Sequence, residues 1–223
     1  MKWYFSAQLP GQVETEVTQR DQFSNDEVEI SETIVREAVQ NSLDAAVDDP
    51  SRVTVTFRWL DETDGLDSGF LRSLFEEQLD HAKVAGLDVT SVDFSSPRAL
   101  VIEDFGTRGL TGSTNSIDDD NFSDFWRRHG KSHKTGKSRG RWGLGKLVYS
   151  TSSELGVFFG ATVRNGDPDI HIMGQTVLNL RTVDEAKYPP HAFFADIDGE
   201  GDIRTEMPVP LKDDALVDQF QQQ

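Results

Sequence analysis

A carboxylate and an amide one helical turn apart can orient a water molecule and ligate a hard cation, and the segment SETIVREAVQNSLDAAVDDP carries such a pair. Ser31 as a cap and Pro50 as a stop bound a helix there. At 100° per residue, Glu37, Asn41 and Asp44 fall within about 60° of one another. They form a narrow polar stripe beside an apolar arc of Ile34, Val35, Ala38, Val39, Ala45 and Ala46. Glu37 has the chemistry of a general base, and the Asn41 amide oxygen can join phosphate oxygens around magnesium. The wet side of an ordinary amphipathic helix accounts for the same stripe, so the pattern alone leaves both readings open. A second stretch, ALVIEDFGTRGLTG, runs an apolar strand, Ala99 to Ile102, into Asp104 and then Gly106 and Gly109. That is either a plain turn or an acceptor for a ligand N–H group, with glycines that let a ring lie against the backbone.

The third stretch is GRWGLGKLV, Gly140 to Val148, in which Gly140, four residues, Gly145 and Lys146 nearly spell a P-loop. A P-loop places a Ser or Thr next, to reach magnesium, and leads from a buried strand into a helix. Leu147 takes that position here, and the preceding KSHKTGKSR is a basic loop. What remains is a glycine-rich turn, with Gly140, Gly143, Leu144 and Gly145, that opens a helical pattern with Lys146 beside it. Backbone N–H groups at such a helix start are exposed to an anion.

The elements that must position these residues follow from periodicity. Runs of β-branched and aromatic residues predict strands at Lys2 to Phe5, Val53 to Trp59, Ala99 to Glu103, Leu155 to Val163, Ile170 to Leu180 and Ala192 to Ile197. Helical spacing marks Glu32 to Val47, Ser68 to Ala85, Asn121 to Arg128, Gly143 to Ser150 and Asp213 to Gln222. Interspersed strands and helices predict an α/β layered architecture. Between Gly106 and Gly145 the chain is polar and glycine-rich around one short aromatic helix, and it reads as a long, mobile connection of the kind that serves function.

With 223 residues the chain can bury a core as one domain, 1–223, without metals or disulfides. There is no cysteine, which excludes thiolate chemistry, and the five histidines lack zinc-ligand spacing. The sequence offers no signal peptide and no stretch near the roughly 20 apolar residues of a membrane span, so the expectation is a cytoplasmic protein with no membrane contact. The net charge is −17. Yet Arg127, Arg128, Lys131, Lys134, Lys137, Arg139, Arg141 and Lys146 fall in one acid-free segment, and removing that +8 leaves −25 on the remainder. A basic segment on an acidic body is either a solvated loop or a local anion site. The last segment, DDALVDQFQQQ, starts as a helix and ends without a cap, so the expectation is the N-terminal part of a longer protein.

Taken in order, the three stretches resemble the Bergerat ATP-binding fold of the GHKL superfamily, which includes the gyrase B subunit, the ninety-kilodalton heat-shock chaperone, MutL and the histidine kinases. The family helix E-x-x-x-N-x-x-D-A is matched by Glu37, Asn41, Asp44 and Ala45. Its strand ending in D-x-G-x-G is matched by Asp104 and Gly106, and its lid, here about 106–145, closes on G-x-x-G-x-G, matched by Gly140, Gly143 and Gly145. The likeness covers about Val28 to Val163. It implies a two-layer α/β (α+β) sandwich, a mixed β-sheet with helices on one face and a long ATP lid. It also implies ATP and Mg2+ as ligands. Glu37 would be the general base toward the γ-phosphate, Asn41 the magnesium ligand, Asp44 a supporting group, and Asp104 the acceptor for the adenine amino group. Gly106 would leave room for the base, and Gly140, Gly143, Leu144, Gly145 and Lys146 would close over the phosphates. Such chemistry is phosphoryl transfer by positioning and charge neutralisation. Disorder is then expected from about Leu110 to Arg139 without nucleotide.

The sequence departs from the pattern in places. Gly109 comes one residue later than the second glycine of D-x-G-x-G, and Thr176 is the best match to the Thr that the family keeps behind the adenine. Fewer than forty residues precede Glu37, so a histidine kinase is not expected unless its phospho-accepting helix belongs to another chain. The expected activity is slow, Mg-dependent ATP hydrolysis to ADP and phosphate. It would drive lid closure and contacts with a sister subunit, in a homodimer formed on ATP binding, or with a missing C-terminal domain or other subunits. Two alternatives are a non-hydrolysing ATP-sensing dimerisation switch and a nucleic-acid-binding module that uses the basic segment with Trp126 and Trp142 as stacking surfaces. Within the first reading, nucleic acid enters only as part of a larger assembly.

Overall fold

The computed structural model describes residues 3–13, 29–47, 52–128, 146–199 and 206–223. Along them the chain forms β1 (Trp3–Tyr4), α1 (Ile30–Asp44), β2 (Thr54–Leu60), α2 (Ser68–Val84), β3 (Ala99–Phe105), α3 (Asn121–Trp126), α4 (Leu147–Thr151), β4 (Val157–Arg164), β5 (Asp167–Val177), β6 (Arg181–Val183), β7 (Ala186–Tyr188), β8 (His191–Phe194), β9 (Asp196–Asp198), β10 (Met207–Val209) and α5 (Asp214–Gln221). The class is α+β. None of the described helices is long and apolar enough to cross a membrane.

The central sheet has the order β1-β8-β5-β4, and β2 pairs with β3 in a separate ribbon from Thr54↔Phe105 to Leu60↔Ala99. A mixed sheet is expected from the sequence, but every ladder among the described residues is antiparallel. The reason is local. β4 and β5 are joined by Asn165 and Gly166, with Gly166 at φ +82°, and a two-residue turn of that type can only return the chain antiparallel.

The expectation of helices on one face is also corrected. Neighbouring residues of a strand point to opposite faces, and here both faces are covered. Val157, Ile172 and Phe194 pack with Phe70 and Leu74 of α2 and, at the edge, Phe220 of α5. Their neighbours Phe158, Met173 and Phe193 pack with Phe122 and Trp126 of α3 on the other face. The last six residues of β5, Ile172 to Val177, are therefore all buried, the signature of a strand covered on both sides. Buried polar side chains pin the layers together. Trp3 Nε1 donates to Leu74 O at 2.7 Å, Gln78 Nε2 to Leu155 O at 2.8 Å and Gln175 Nε2 to Trp126 O at 3.1 Å.

The stretch from Leu110 to Arg128, expected to be disordered without nucleotide, is instead an ordered part of the core. Phe122 is 0% and Trp126 2% exposed, with Trp126 stacked on Phe158. Asp120 caps α3 through the Ser123 N–H at 2.7 Å. The Arg127 guanidinium donates to the carbonyls of Ser113, Thr114, Ser116 and Pro208 while lying over the Phe122 ring. An aromatic pair of that size contributes several kcal/mol of burial, on the order of 3–5 kcal/mol per ring truncated, enough to order a loop however polar its flanks. Residues 129–139 lie outside the described part of the chain.

Candidate functional site

α1 carries the first part of the site. It starts after Glu29, two residues earlier than the Ser31 cap predicts, and ends at Asp44 well before Pro50. Thr33, Ile34, Ala38 and Ser42 form its buried face, while Val35 remains 45% exposed. The helix ends because the loop after β3 captures it. Ala46 bridges Thr107, the Val47 N–H donates to Gly106 O at 3.3 Å and the Arg108 N–H to Ala45 O at 3.0 Å. The Arg108 guanidinium also reaches the carbonyls of Asp44, Ala45 and Ala46. A cation on the last carbonyls of a helix is favourable both as a cap and against the helix dipole.

The same capture explains the glycine spacing. Arg108 occupies the place where the second glycine of D-x-G-x-G falls, and Gly109 follows. Gly109 has φ +70°, and a Cβ there would stand 2.3 Å from Val163 O. Glycine is thus required where this loop packs on β4. Gly106 has φ +80°, and a Cβ would meet Arg52 O at 2.6 Å, so close chain packing by itself accounts for the residue.

Asp104, next to last in β3, faces α1. Its Oδ2 lies 2.9 Å from the Ser42 hydroxyl and its Oδ1 accepts from Thr107 Oγ1 at 3.0 Å. The Ser42 hydroxyl is also 2.9 Å from Ala38 O, so its single proton is shared between two acceptors. An ionised carboxylate has about four acceptor positions, and Asp104 is exposed. It therefore retains capacity for a ligand N–H group. Ser42 and Thr107 were not legible as site residues in the sequence. The only signal for Ser42 is its place four residues after Ala38 on the buried edge of the helix.

The third element completes the cluster. The phenol of Tyr149 on α4 is pushed above its ordinary range by burial, with the Glu37 and Asp104 carboxylates adding to the effect. The Asn41 side chain acts the other way, lowering it. Glu37, half-buried with its side chain 20% exposed, has Arg36 at 3.8 Å. Glu37 and Asn41 on α1 and Asp104 on β3, 67 residues apart in sequence at the extremes, are brought to one side of the fold by the Ser42–Asp104 hydrogen bond. Asp44 sits exposed on the same helix, its carbonyl held by Arg108.

Two expected members are placed elsewhere. Lys146 is buried, 6% exposed, and its three N–H groups go to the carbonyls of Asp124, Phe125 and Arg128 at 3.2, 2.6 and 2.6 Å. Burial lowers its pKa to about 7, against the pull of Asp124. In this conformation it fastens the start of α4 to the end of α3. Thr176 is fully buried, bonded to Gly156 O and to Gln78, partners that belong to the sheet and α2. Gly140, Gly143, Leu144 and Gly145 lie outside the described residues.

An open hollow of about 560 Å3 is lined by Thr114, Asp169, His171, Asp198, Lys212 and Asp214 among others, none of them in the cluster. Its lining includes the Asn115 amide beside the Asp169, Asp198 and Asp214 carboxylates, but none of the residues singled out by the three sequence stretches. No group of three His, Asp or Glu side chains among the described residues could hold an ion unaided. A cation at Asn41 would need phosphate oxygens and water to complete its shell. That is the habit of Mg2+, which takes one or two protein oxygens plus substrate phosphates, so the all-oxygen donor set fits. Compared with protein-family models, with curated proteins and with solved structures, the chain matches none.

Proposed function

We propose that this chain is a GHKL-type, Bergerat-fold domain that binds ATP with Mg2+ and hydrolyses it slowly to ADP and phosphate. The observation that carries the reading is that α1, which bears Glu37 and Asn41, is joined to Asp104 at the end of β3 through the Ser42 hydroxyl at 2.9 Å. Glu37 and Asn41 come from one helix and Asp104 from the strand before a glycine turn. Each has a separate task. Asp104, with spare acceptor capacity and fixed by Ser42 and Thr107, receives the adenine amino group. Asn41 offers an amide oxygen to Mg2+, which neutralises phosphate charge when bound. Glu37, one turn away on the same helix, orients and deprotonates the attacking water. Of the assigned lid, Gly106 to Arg128 serves as a fixed base, and the phosphate-side glycines belong to the part outside the described residues. ATP-driven contacts with a sister subunit, or with further parts of a longer protein, belong to the same proposal.

Burial of Trp126 removes one of the two stacking surfaces of the nucleic-acid alternative. Arg127 and Lys146 are spent on backbone carbonyls, and Arg128 pairs with Asp119 and Asp124. Single-turnover hydrolysis by Glu37→Gln tests the enzymatic reading. The variant is expected to bind Mg·ATP as wild type does and to hydrolyse it at least about 100-fold more slowly, the usual weight of a general base. Equal rates would remove Glu37 from the chemistry, and binding by wild type without any turnover would favour the sensing switch.

A further inference from the structure

We propose that the apolar face of the β2–β3 ribbon is a docking surface for a segment of a partner protein that carries apolar side chains flanked by lysine or arginine. Asp104 points from this ribbon toward α1, where it meets the Ser42 hydroxyl. Side chains alternate along a strand, so Ile102 and Leu100 stand on the same face as Asp104, and the register puts Val55, Phe57 and Trp59 opposite them. Beyond Asp104 that face is wholly apolar. Phe57 is nevertheless 37%, Leu100 40% and Trp59 61% exposed, so α1 does not close over it. Val35 lies within about 20° of Ser42 around the helix axis, on the side that meets the ribbon, and is exposed as well. Helix and ribbon therefore part beyond the Ser42–Asp104 contact and leave an apolar cleft.

The opposite face of the ribbon is polar and satisfied, since Thr56 and Arg58 there both donate to Glu103, at 3.3 and 3.1 Å. Charge decides what can lie in the cleft. Past Trp59 the chain enters a tight turn with Asp61, Glu62 and Asp64 and no base. Hydrogen bonds from Thr63 and from the Asp61 N–H fix two of these carboxylates in place. Glu32, one turn before Val35, is exposed. The arginines nearest in sequence are already paired, Arg36 with Glu37 at 3.8 Å, Arg58 with Glu103 and Arg98 with Glu154 at 3.9 Å. Nucleic acid or an anionic bilayer would be repelled here, and a second copy would bring the same carboxylates to a chain already at −17. An apolar segment with flanking cations meets both demands. Its apolar side chains cover Phe57, Trp59 and Leu100, and its cations face the acidic ends. Tryptophan is among the residue types that dominate binding energy at such surfaces, which makes Trp59 the anchor.

The test is to pan a displayed library of short random peptides on wild type without nucleotide, then to measure the enriched peptides, made synthetically, against wild type, Trp59→Ser, Leu100→Ser and Glu62→Lys by calorimetry. All three positions are exposed, and thermal melts check that each variant keeps the fold. The enriched peptides are expected to combine apolar residues with Lys or Arg and to bind wild type one-to-one. Trp59→Ser is expected to weaken them at least about 10-fold, with Leu100→Ser in the same direction. Glu62→Lys is expected to weaken them several-fold in low salt and much less in high salt. No enriched peptide, enriched peptides without basic residues, or equal affinity for wild type and both serine variants would overturn the proposal. So would a concentration-dependent dimer of wild type, seen by sedimentation, that Trp59→Ser abolishes, since the face would then belong to a second copy.

Discussion

Asp104 shows how one side chain can be held ready yet remain available. Ser42 and Thr107 fix the carboxylate at 2.9 and 3.0 Å, and each oxygen keeps a lone-pair position. The types and spacing of Glu37, Asn41 and Asp104 were legible because each is a polar residue on a strongly patterned element. Arg108 and Tyr149 were not, since a single arginine in a loop and a tyrosine in a short apolar helix read as ordinary surface and core. Gly109 was legible only as an irregularity. Its left-handed φ and the nearby Val163 carbonyl mean that Gly109→Ala must strain the backbone and displace the loop from β4. A loss of about 2 kcal/mol or more in denaturant unfolding is expected. An unchanged midpoint would show that the loop does not need this close approach.

At the scale of elements, each helix and strand foreseen from periodicity has a counterpart among the described residues, with boundaries displaced by up to a few positions and Ala192 to Ile197 divided between β8 and β9. The β6–β7 hairpin was missed because its turn, Asp184-Glu185, takes φ +47° and +67° without a glycine, defeating the usual turn signal. Placement on both sheet faces was missed because a short helix such as FSDFWRRH carries no mark of which layer it joins. The hairpin is tied to α2 through a histidine that must stay neutral. His81 stacks on Phe5 at 3.6 Å and accepts from Arg181 Nε at 3.0 Å. Burial first, then the Arg181 charge, lowers its pKa from 6.5 to about 4, against opposing pulls from Asp80 and Asp184. His191 is lowered to about 4 in the same way, by burial and then by Lys146. In both cases the unfolded chain takes up a proton that the folded chain refuses. Stability therefore rises with pH from about 4 to 6.5, is fully present above that window and is lost as pH falls through it. Thermal melts between pH 5 and 6.5 are expected to show this slope, and His81→Gln to reduce it. A variant with the wild-type slope would show that His81 is not excluded from protonation by the fold.

For the whole molecule, the charge is unevenly distributed. The body is strongly acidic, and of the eight clustered bases the three that are described, Arg127, Arg128 and Lys146, are bound to neighbouring carbonyls and carboxylates. Those three hold the ordered base of the long connection in place. The architecture puts its buried aromatic mass on either side of the central sheet, while the Glu37–Asn41–Asp104 cluster sits where α1, the end of β3 and α4 meet. Calorimetric titration of the β,γ-imido analogue of ATP with Mg2+ into wild type and Asp104→Asn tests the central claim most directly. The account predicts saturable one-to-one binding by wild type and none by the variant, whose amide keeps one acceptor oxygen where the carboxylate, which also receives Ser42 and Thr107, has two. Absence of binding by wild type, or equal affinity for both proteins, would contradict it.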